Sequence, residues 1–504
     1  MYNVLMPSSK MKHFFTDMAA AIAAAILFYL ASPNHFDPMG CPLLAWVFAV
    51  PLFFVLDGKS LRERLVFGAL FSLTAYALLL GWILNVNKFL FVFFTLLFAM
   101  QPVLFAGFFK SCAGHRMLRV LCLPSLWVMT EAARSFLIGG YAWTIGHSQA
   151  FLPDIVQIAD LTGAYGISFL IILVNSGLYF SLKNKKSAPV FLAAVFLAGA
   201  LLYGRLAVED TLPGTTVTVC TIQPDISKEE KLNPDALDAT VDKQLALSER
   251  CFAAKTPDLV VWPETSVSDD VINDGTLRQK IQAFISKHPV AMLIGSAMLV
   301  DGKNYNSAVL FDKTGQPEGI YHKQHLLPFN EYFPFQDKLL FLQKIFHLNN
   351  YEFRQGKWAG PLPFKKGDEK GNFGVAICSE EGYPALLRKE AAQGALFFVA
   401  MLNDAWFKSD AAAMLHAQNG FIQAASLKLP VVRSANSGFT CAIDRYGRSR
   451  DGLKNDLKLG EKEVFIFEIS LLARRTFYAV FGDVFILVCG FVWLLAARDQ
   501  TPGK

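Results

Sequence analysis

Charge is scarce in this chain. Asp, Glu, Lys and Arg make up 18% of its 504 residues, against 53% hydrophobic residues, and the mean hydropathy is +0.35. That is high for a wholly soluble protein, so part of the chain is read as lying in lipid. Basic runs interleaved with aromatics are missing. The net charge of +5 is scattered in short groups, which excludes the footprint of a nucleic-acid binder. The eight cysteines form no CxxC pair and no Cys/His cluster with zinc-ligand spacing. Neither a metal site nor an organic cofactor is therefore expected. Internal repeats and low-complexity linkers are absent too.

Long apolar runs are plentiful, and 45 phenylalanines suit a large lipid-facing surface. Runs able to span a bilayer lie at about 14–32, 42–57, 65–86, 89–109, 117–136, 166–182 and 188–206, with an eighth at 478–497. The run at 42–57 is short, and that at 117–136 carries Glu131 and Arg134. No small-residue cleavage site follows the first run, so it reads as a retained helix. Lys10 and Lys12, Lys59 with Arg62 and Arg64, Lys110 with Arg116 and Arg119, Lys183 with Lys185 and Lys186, and Arg498 with Lys504 fall on alternate sides of these runs. The intervening loops "SPNHFDPMGCP" and "NVNK" hold almost no basic residues. By the positive-inside rule the basic side is the cytoplasm, and seven helices then put the following polar region outside the inner membrane.

That region changes texture. From 215 to about 470, Val/Ile/Leu-rich runs such as "TTVTVCTIQP", "DLVVWPE", "AMLIGSAM", "FGVAIC" and "ALFFVAMLN" alternate with helical stretches at 228–254 and 411–428. Such alternation predicts an α/β layered domain, and the apolar strands read as buried on both faces. The expected organisation is seven helices over 1–210, a catalytic domain over 211–472, and an eighth helix with a cytoplasmic tail over 473–504.

Three stretches of this domain finish in a reactive group. "DLVVWPE" ends in Glu264, "GIYHKQHLLPFNEYFP" presents Lys323 and then Glu331, and "GVAIC" ends in Cys378. Sites in α/β sheets form beyond the carboxyl ends of strands, so the three could converge. A free thiol with a pKa of about 8.5 holds little thiolate at neutral pH. An adjacent carboxylate can take its proton during attack. A protonated lysine cannot be that base, but its charge would steady a developing oxyanion, as would the Ser379 N–H if Cys378 sits on a tight turn. The implied reaction is acyl transfer through a thioester. Taken singly, Cys378 reads more readily as a buried small hydrophobe than as a nucleophile, Glu264 as a helix cap, and Lys323 with Glu331 as a surface pair.

Taken together, "VVWPE", "YHKQHLLPFNEYFP" and "VAICSE", in that order, resemble the Glu-Lys-Cys triad of the nitrilase superfamily. "NDAWF" (403–407), "RSANSG" (433–438), "GGYAWTIGHSQA" (139–150) and "IADLTGAYGISFLIILVN" resemble its membrane-embedded branch, the apolipoprotein N-acyltransferases. The resemblance implies an αββα sandwich carried on eight transmembrane helices. It implies Glu264 as general base, Lys323 as oxyanion-stabilising lysine and Cys378 as nucleophile. Glu331 matches an acid that holds the lysine in place, and Glu380 an acid just after the cysteine. It also implies the substrates: a phospholipid acyl donor such as phosphatidylethanolamine, and the α-amine of a diacylglyceryl-cysteine at the start of a lipoprotein. Two positions depart from the family pattern. Ser379 stands where a Tyr is usual, and Gln423 and Ser426 stand where the helix before "RSANSG" often carries Arg and Glu, so an altered packing network is expected there.

The stretch 332–353, with Phe333, Phe335, Leu339, Leu340, Phe341, Ile345 and Phe346 set against Lys338 and Lys344, suits a lid in the membrane interface or a helix packed on the sandwich. Two rival functions are a membrane-anchored nitrilase-family amidase and a transporter or receptor with a binding domain. The first does not need eight helices, and the second leaves the three matched stretches unexplained.

Overall fold

The computed structural model describes residues 8–113, 118–140, 143–208, 214–333, 353–449, 463–472 and 474–498. Most of the proposed lid, 334–352, lies outside them. The chain divides into two units, Met1–Ala207 with Phe481–Lys504, and Val208–Val480.

The first unit is helical: α1 (Ser8–Ala31), α2 (Ala49–Leu56), α3 (Leu61–Leu79), α4 (Lys88–Phe108), α5 (Leu118–Ile138), the short α6 (Pro153–Val156) and α7 (Ala159–Thr162), then α8 (Ala164–Asn184) and α9 (Ala188–Ala207). Among the described residues five helices are long and apolar enough to cross a membrane: Met11–Ala31, Lys88–Cys112, Leu118–Ile138, Ala164–Asn184 and Ala188–Ala207. The other three apolar runs are cut short for local reasons. The run at 42–57 opens as a 3-10 turn at Pro42–Trp46 before α2. The third begins inside α3, whose first turn carries Arg62, Glu63 and Arg64 and a Ser60–Glu63 capping box. The eighth is interrupted after Phe481 by Gly482 in the left-handed region (φ +63°), leaving a final helix over Phe485–Arg498.

Several buried polar groups in this unit are paired, as an apolar interior favours. Arg64 donates to the Ala106 and Gly107 carbonyls at the end of α4 (3.0 and 3.1 Å). Glu131 accepts from the Ile145 N–H (2.8 Å), Arg134 donates to the Trp143 carbonyl (3.1 Å), and Ser168 accepts from the Gly146 N–H (3.0 Å). The 3-10 turn Ile145–Gln149 is thereby held fully buried. A disulfide joins Cys112 and Cys122.

In the second unit the chain runs β1 (Thr216–Gln223), α10 (Lys228–Leu232), α11 (Leu237–Ala254), β2 (Leu259–Val261), α12 (Gly275–Lys287), β3 (Ala291–Val300), β4 (Lys303–Phe311), β5 (Pro317–His322), β6 (Leu362–Lys366), β7 (Glu369–Ile377), α13 (Pro384–Ala392), β8 (Ala395–Leu402), α14 (Asp410–Leu427), β9 (Val431–Ala435), β10 (Cys441–Ile443) and β11 (Glu463–Ser470). The strands form two sheets, ordered β11-β1-β2-β3-β4-β5 and β10-β9-β8-β7-β6. In each the central strands are parallel: β1, β2 and β3 in one, β7, β8 and β9 in the other.

Alternation of side chains along each strand builds two cores. Val217, Val219, Val261 and Leu293 of the first sheet meet Val375, Ile377, Val399 and Met401 of the second, all buried. On the other face, Cys220, Ile222, Val260 and Met292 pack with Val241, Cys251, Ile281 and Ile285 of α11 and α12. The Cys220–Cys251 disulfide fastens β1 to α11 there. With α13 and α14 against β7, β8 and β9, the layering is the αββα sandwich that the motif resemblance implied.

Candidate active site

Glu264 leaves the end of β2 through Trp262 and Pro263. The ladder stops there because proline has no N–H to give. Trp262 is fully buried and donates its indole N–H to Ser248 (2.8 Å). The turn runs so close to β3 that a Cβ on Gly295 would lie 2.2 Å from the Pro263 carbonyl oxygen, so only glycine fits. Thr265 takes a left-handed φ of +44°, and Lys231 of α10 donates to the Glu264 carbonyl (3.1 Å).

Lys323 follows β5 and extends its ladder, its N–H donating to the Asn306 carbonyl on β4 (2.8 Å). Its ammonium is buried between two carboxylates, 2.8 Å from Glu331 and 3.6 Å from Glu264. Asn306 donates from Nδ2 to both acids, at 2.9 Å to Glu264 and 3.0 Å to Glu331. Glu331 also accepts from the Leu327 N–H (2.7 Å). A buried ammonium is tolerated only when paired in this way, and removing one partner leaves an uncompensated charge.

Cys378 stands at the first residue beyond β7, at the start of a 3-10 turn over Cys378–Gly382. Its φ is +53°, a left-handed conformation that costs a non-glycine residue of order 1–3 kcal/mol. Glu380 ties this turn to the segment after Lys323. One carboxylate oxygen accepts from the Ile377 N–H (2.9 Å) and the Tyr321 hydroxyl (3.0 Å), the other from the Gln324 and His325 N–H groups (2.6 and 2.9 Å). Ser379 is half-buried, and its hydroxyl finds no partner among the described residues.

The electrostatics couple these groups. Burial raises the Glu264 carboxyl above its ordinary 4.5; Lys323 opposes the shift and Glu331 adds to it. Burial works against the Lys323 charge, but Glu331, Glu264 and Cys378 outweigh it and hold the ammonium well above the usual lysine range. Burial lifts the Cys378 thiol well above 9, reinforced by Glu264 and opposed by Lys323. Glu380 is pushed up to about 7 by burial, against Lys323 and its N–H donors. The charges of Glu264, Lys323 and Glu331 all act on the Cys378 sulfur. What results is a neutral thiol, a buried acid able to accept a proton, and a permanently charged lysine.

Sequence motifs single out Glu264, Lys323, Glu331, Cys378, Ser379 and Glu380. The structure groups the first four electrostatically and uses Glu380 as the brace of the cysteine turn. Asn306 and Lys231 escape such motifs because each works through contacts to residues distant in the chain. The same holds for a buried group beside the cysteine turn. There His416 meets Asp404 (2.8 Å), and Arg433 meets Glu381 (2.9 Å). Asp404 and Arg433 lie in "NDAWF" and "RSANSG"; His416 belongs to no motif. At the unusual position Gln423, the amide is buried with neither polar atom paired among the described residues, while Ser426 bonds back to the Ile422 carbonyl (2.6 Å).

Residues 22–177 match a family model described as apolipoprotein N-acyltransferase N-terminal domain, and residues 216–471 match one described as carbon-nitrogen hydrolase. An apolipoprotein N-acyltransferase of Geobacter metallireducens is 30% identical, over 94% of this chain and 93% of its own length. One of Chlorobaculum tepidum is 28% identical, over 96% of each. A crystal structure of a nitrilase-superfamily member from Saccharomyces cerevisiae is 16% identical, with a TM-score of 0.37, and covers 52% of this chain and 93% of that one.

Proposed function

The chain belongs to the apolipoprotein N-acyltransferase family, and from that premise we propose that it moves a fatty acyl chain from a phospholipid, through a thioester on Cys378, to the α-amine of the N-terminal diacylglyceryl-cysteine of a lipoprotein. Glu264 takes the thiol proton as sulfur attacks the acyl ester. The tetrahedral oxyanion is met by the Lys323 ammonium and the Ser379 N–H. Collapse expels the lysophospholipid alkoxide, to which Glu264 returns the proton, and the acyl group stays on sulfur. The lipoprotein amine then attacks the thioester. Glu264 takes the amine proton and hands it to the departing Cys378 sulfur, which restores the starting enzyme. Glu331 and Asn306 hold Lys323 and Glu264 in place throughout.

The observation that carries this reading is the buried Glu264–Lys323–Glu331 cluster bridged by Asn306, with its charges acting on a cysteine held in a left-handed turn. A raised thiol needs a base at the moment of attack, and Glu264 has the raised proton affinity that such a base requires. Phosphatidylethanolamine is the proposed donor. Among the described residues five long apolar helices support a membrane protein, which suits two substrates that both carry acyl chains.

The inner membrane is the proposed location, with 1–210 as transmembrane helices one to seven, 211–472 as the catalytic domain on the periplasmic side, and 473–504 as the eighth helix and cytoplasmic tail. The alternating basic loops support this.

Mass spectrometry of a diacylated lipopeptide, after incubation with the purified protein and phosphatidylethanolamine vesicles, tests the reading. A third acyl chain on the α-amine is the expected product. Release of free fatty acid alone would point to the amidase-like hydrolase instead.

A further inference from the structure

His416, on α14, is 6% exposed and takes no part in the chemistry described above. Its Nδ1 lies 2.8 Å from Asp404 Oδ1, and its Nε2 lies 3.2 Å from the carbonyl oxygen of Cys378. Both partners are acceptors. A neutral imidazole carries one N–H and could serve only one of them, so the ring that satisfies both is doubly protonated. The surroundings agree. Asp404 from the turn after β8 and Glu381 from the cysteine turn, 4.0 Å from Nε2, face the ring together with Arg433 of β9 and the Cys378 carbonyl. Arg433 is paired with Glu381. With His416 protonated, this buried group holds two acids and two cations; with it neutral, an excess negative charge is left in the interior. Burial opposes the charge on His416, yet Asp404 and then Glu381 outweigh it and raise the ring above 6.5 against the pull of Arg433.

The contact matters because of which peptide it grips. The Cys378 carbonyl and the Ser379 N–H belong to one planar trans peptide, in which C=O and N–H point in opposite directions. Fixing the oxygen fixes the direction of the N–H. Cys378 also sits at a strained φ of +53°, a conformation that persists only where its surroundings hold it. We infer that His416, as an imidazolium, is a positioning residue of this reaction: it holds the Cys378–Ser379 peptide so that the Ser379 N–H faces the oxygen that becomes negative during acyl transfer. Donation to the carbonyl also polarises the peptide and strengthens its N–H as a donor. This rests on the reading of Cys378 as nucleophile and the Ser379 N–H as oxyanion donor.

The test uses the full-length protein in phosphatidylethanolamine vesicles and two rates measured side by side. One is acyl-enzyme formation, which passes through an oxyanion. The other is alkylation of Cys378 by iodoacetamide, which does not, and so reports only the thiol and its base. In His416→Leu, acyl-enzyme formation is expected to fall on the order of 10- to 100-fold, somewhat less than the loss of a whole oxyanion donor. Alkylation should stay within about 3-fold of the parent, since no oxyanion forms in it. His416→Gln, which keeps an N–H able to reach the carbonyl, should restore most of the acylation. In the parent, acylation should also decline as pH rises through the raised His416 pKa, because the N–H to the carbonyl is lost with the proton. That decline should vanish in His416→Gln.

An unchanged acylation rate in His416→Leu overturns the inference. So does an equal fall in acylation and alkylation that His416→Gln fails to reverse, since that marks a general loss of structure. Acyl-enzyme formation that persists in Cys378→Ala overturns the reading beneath it as well. Loss in Cys378→Ala with no effect in His416→Leu overturns the positioning role alone.

Discussion

Asn306 is the residue on which the charge arrangement turns. It sets the spacing of two acids around one ammonium, and its bond to Glu264 favours the ionised carboxyl. The proposed base works only when deprotonated, and burial raises its pKa. Acylation should therefore increase with pH through a value above the usual carboxylate range. Asn306→Ala removes a stabiliser of the carboxylate and should move that acid limb to higher pH. Glu264→Gln should abolish the limb and slow acylation on the order of 10²- to 10⁴-fold. Both are read from pH profiles of acyl-enzyme formation; an acid limb that stays in place in Asn306→Ala, or persists in Glu264→Gln, contradicts the assignment. The reactive residues were legible in the sequence because each closes a recognisable stretch, "VVWPE", "YHKQH" or "VAIC". Asn306, Lys231 and His416 were not, because nothing local distinguishes them: one lies mid-strand, one on a short surface helix, one on a buried helix.

Among elements, the junction of β7 with the segment after β5 is the most exposed to single changes. Glu380 accepts from three backbone N–H groups and the Tyr321 hydroxyl. Glu380→Ala leaves four donors without an acceptor, three of them buried, at about 1–3 kcal/mol for each buried one left unsatisfied. Glu380→Gln keeps the shape but offers one acceptor oxygen in place of two. The alanine variant should lower the thermal midpoint of the purified protein by several degrees more than the glutamine variant, and both should lose acylation. Equal midpoints for parent and alanine variant would remove Glu380 as the brace of the turn. Strands and their order of burial were readable from Val/Ile-rich runs ended by Pro, Gly or Asn. Helix ends were less so: Arg62, Glu63 and Arg64 are drawn into the first turn of α3 by the Ser60 cap, and Gly482 breaks the last run, both local events that hydropathy averages away.

For the whole molecule, the proposed topology has a chemical signature in the cysteines. Cys41, exposed in the loop after α1, and the Cys220–Cys251 disulfide fall on the proposed outer side. Cys112 and Cys122, bonded in the structure, sit beside Lys110 and Arg119 on the proposed cytoplasmic side, where the bond is expected to be reduced. In cells with a permeabilised outer membrane, carrying Cys378→Ala, an impermeant maleimide should label Cys41 at once. It should reach the buried Cys112 and Cys122 only after lysis and denaturation, and the buried Cys220 and Cys251 only after denaturation with added reductant. Protection of the exposed Cys41 until lysis would reverse the orientation. The proposed topology rests on the charge pattern of the loops; the convergence of Glu264, Lys323 and Cys378 was readable only through their order along the chain, since Glu264 and Lys323 follow strands of one sheet and Cys378 a strand of the other, so that the packing of the two sheets gathers them. The most direct test of that convergence is the covalent intermediate itself. Purified protein is incubated with phospholipid and no acceptor, and its peptides are mapped by mass spectrometry. One fatty acyl group is expected on the peptide containing Cys378, absent from Cys378→Ala and removed by adding diacylated lipopeptide. An acyl group on another residue, or transfer to the lipopeptide by Cys378→Ala at the parental rate, would contradict it.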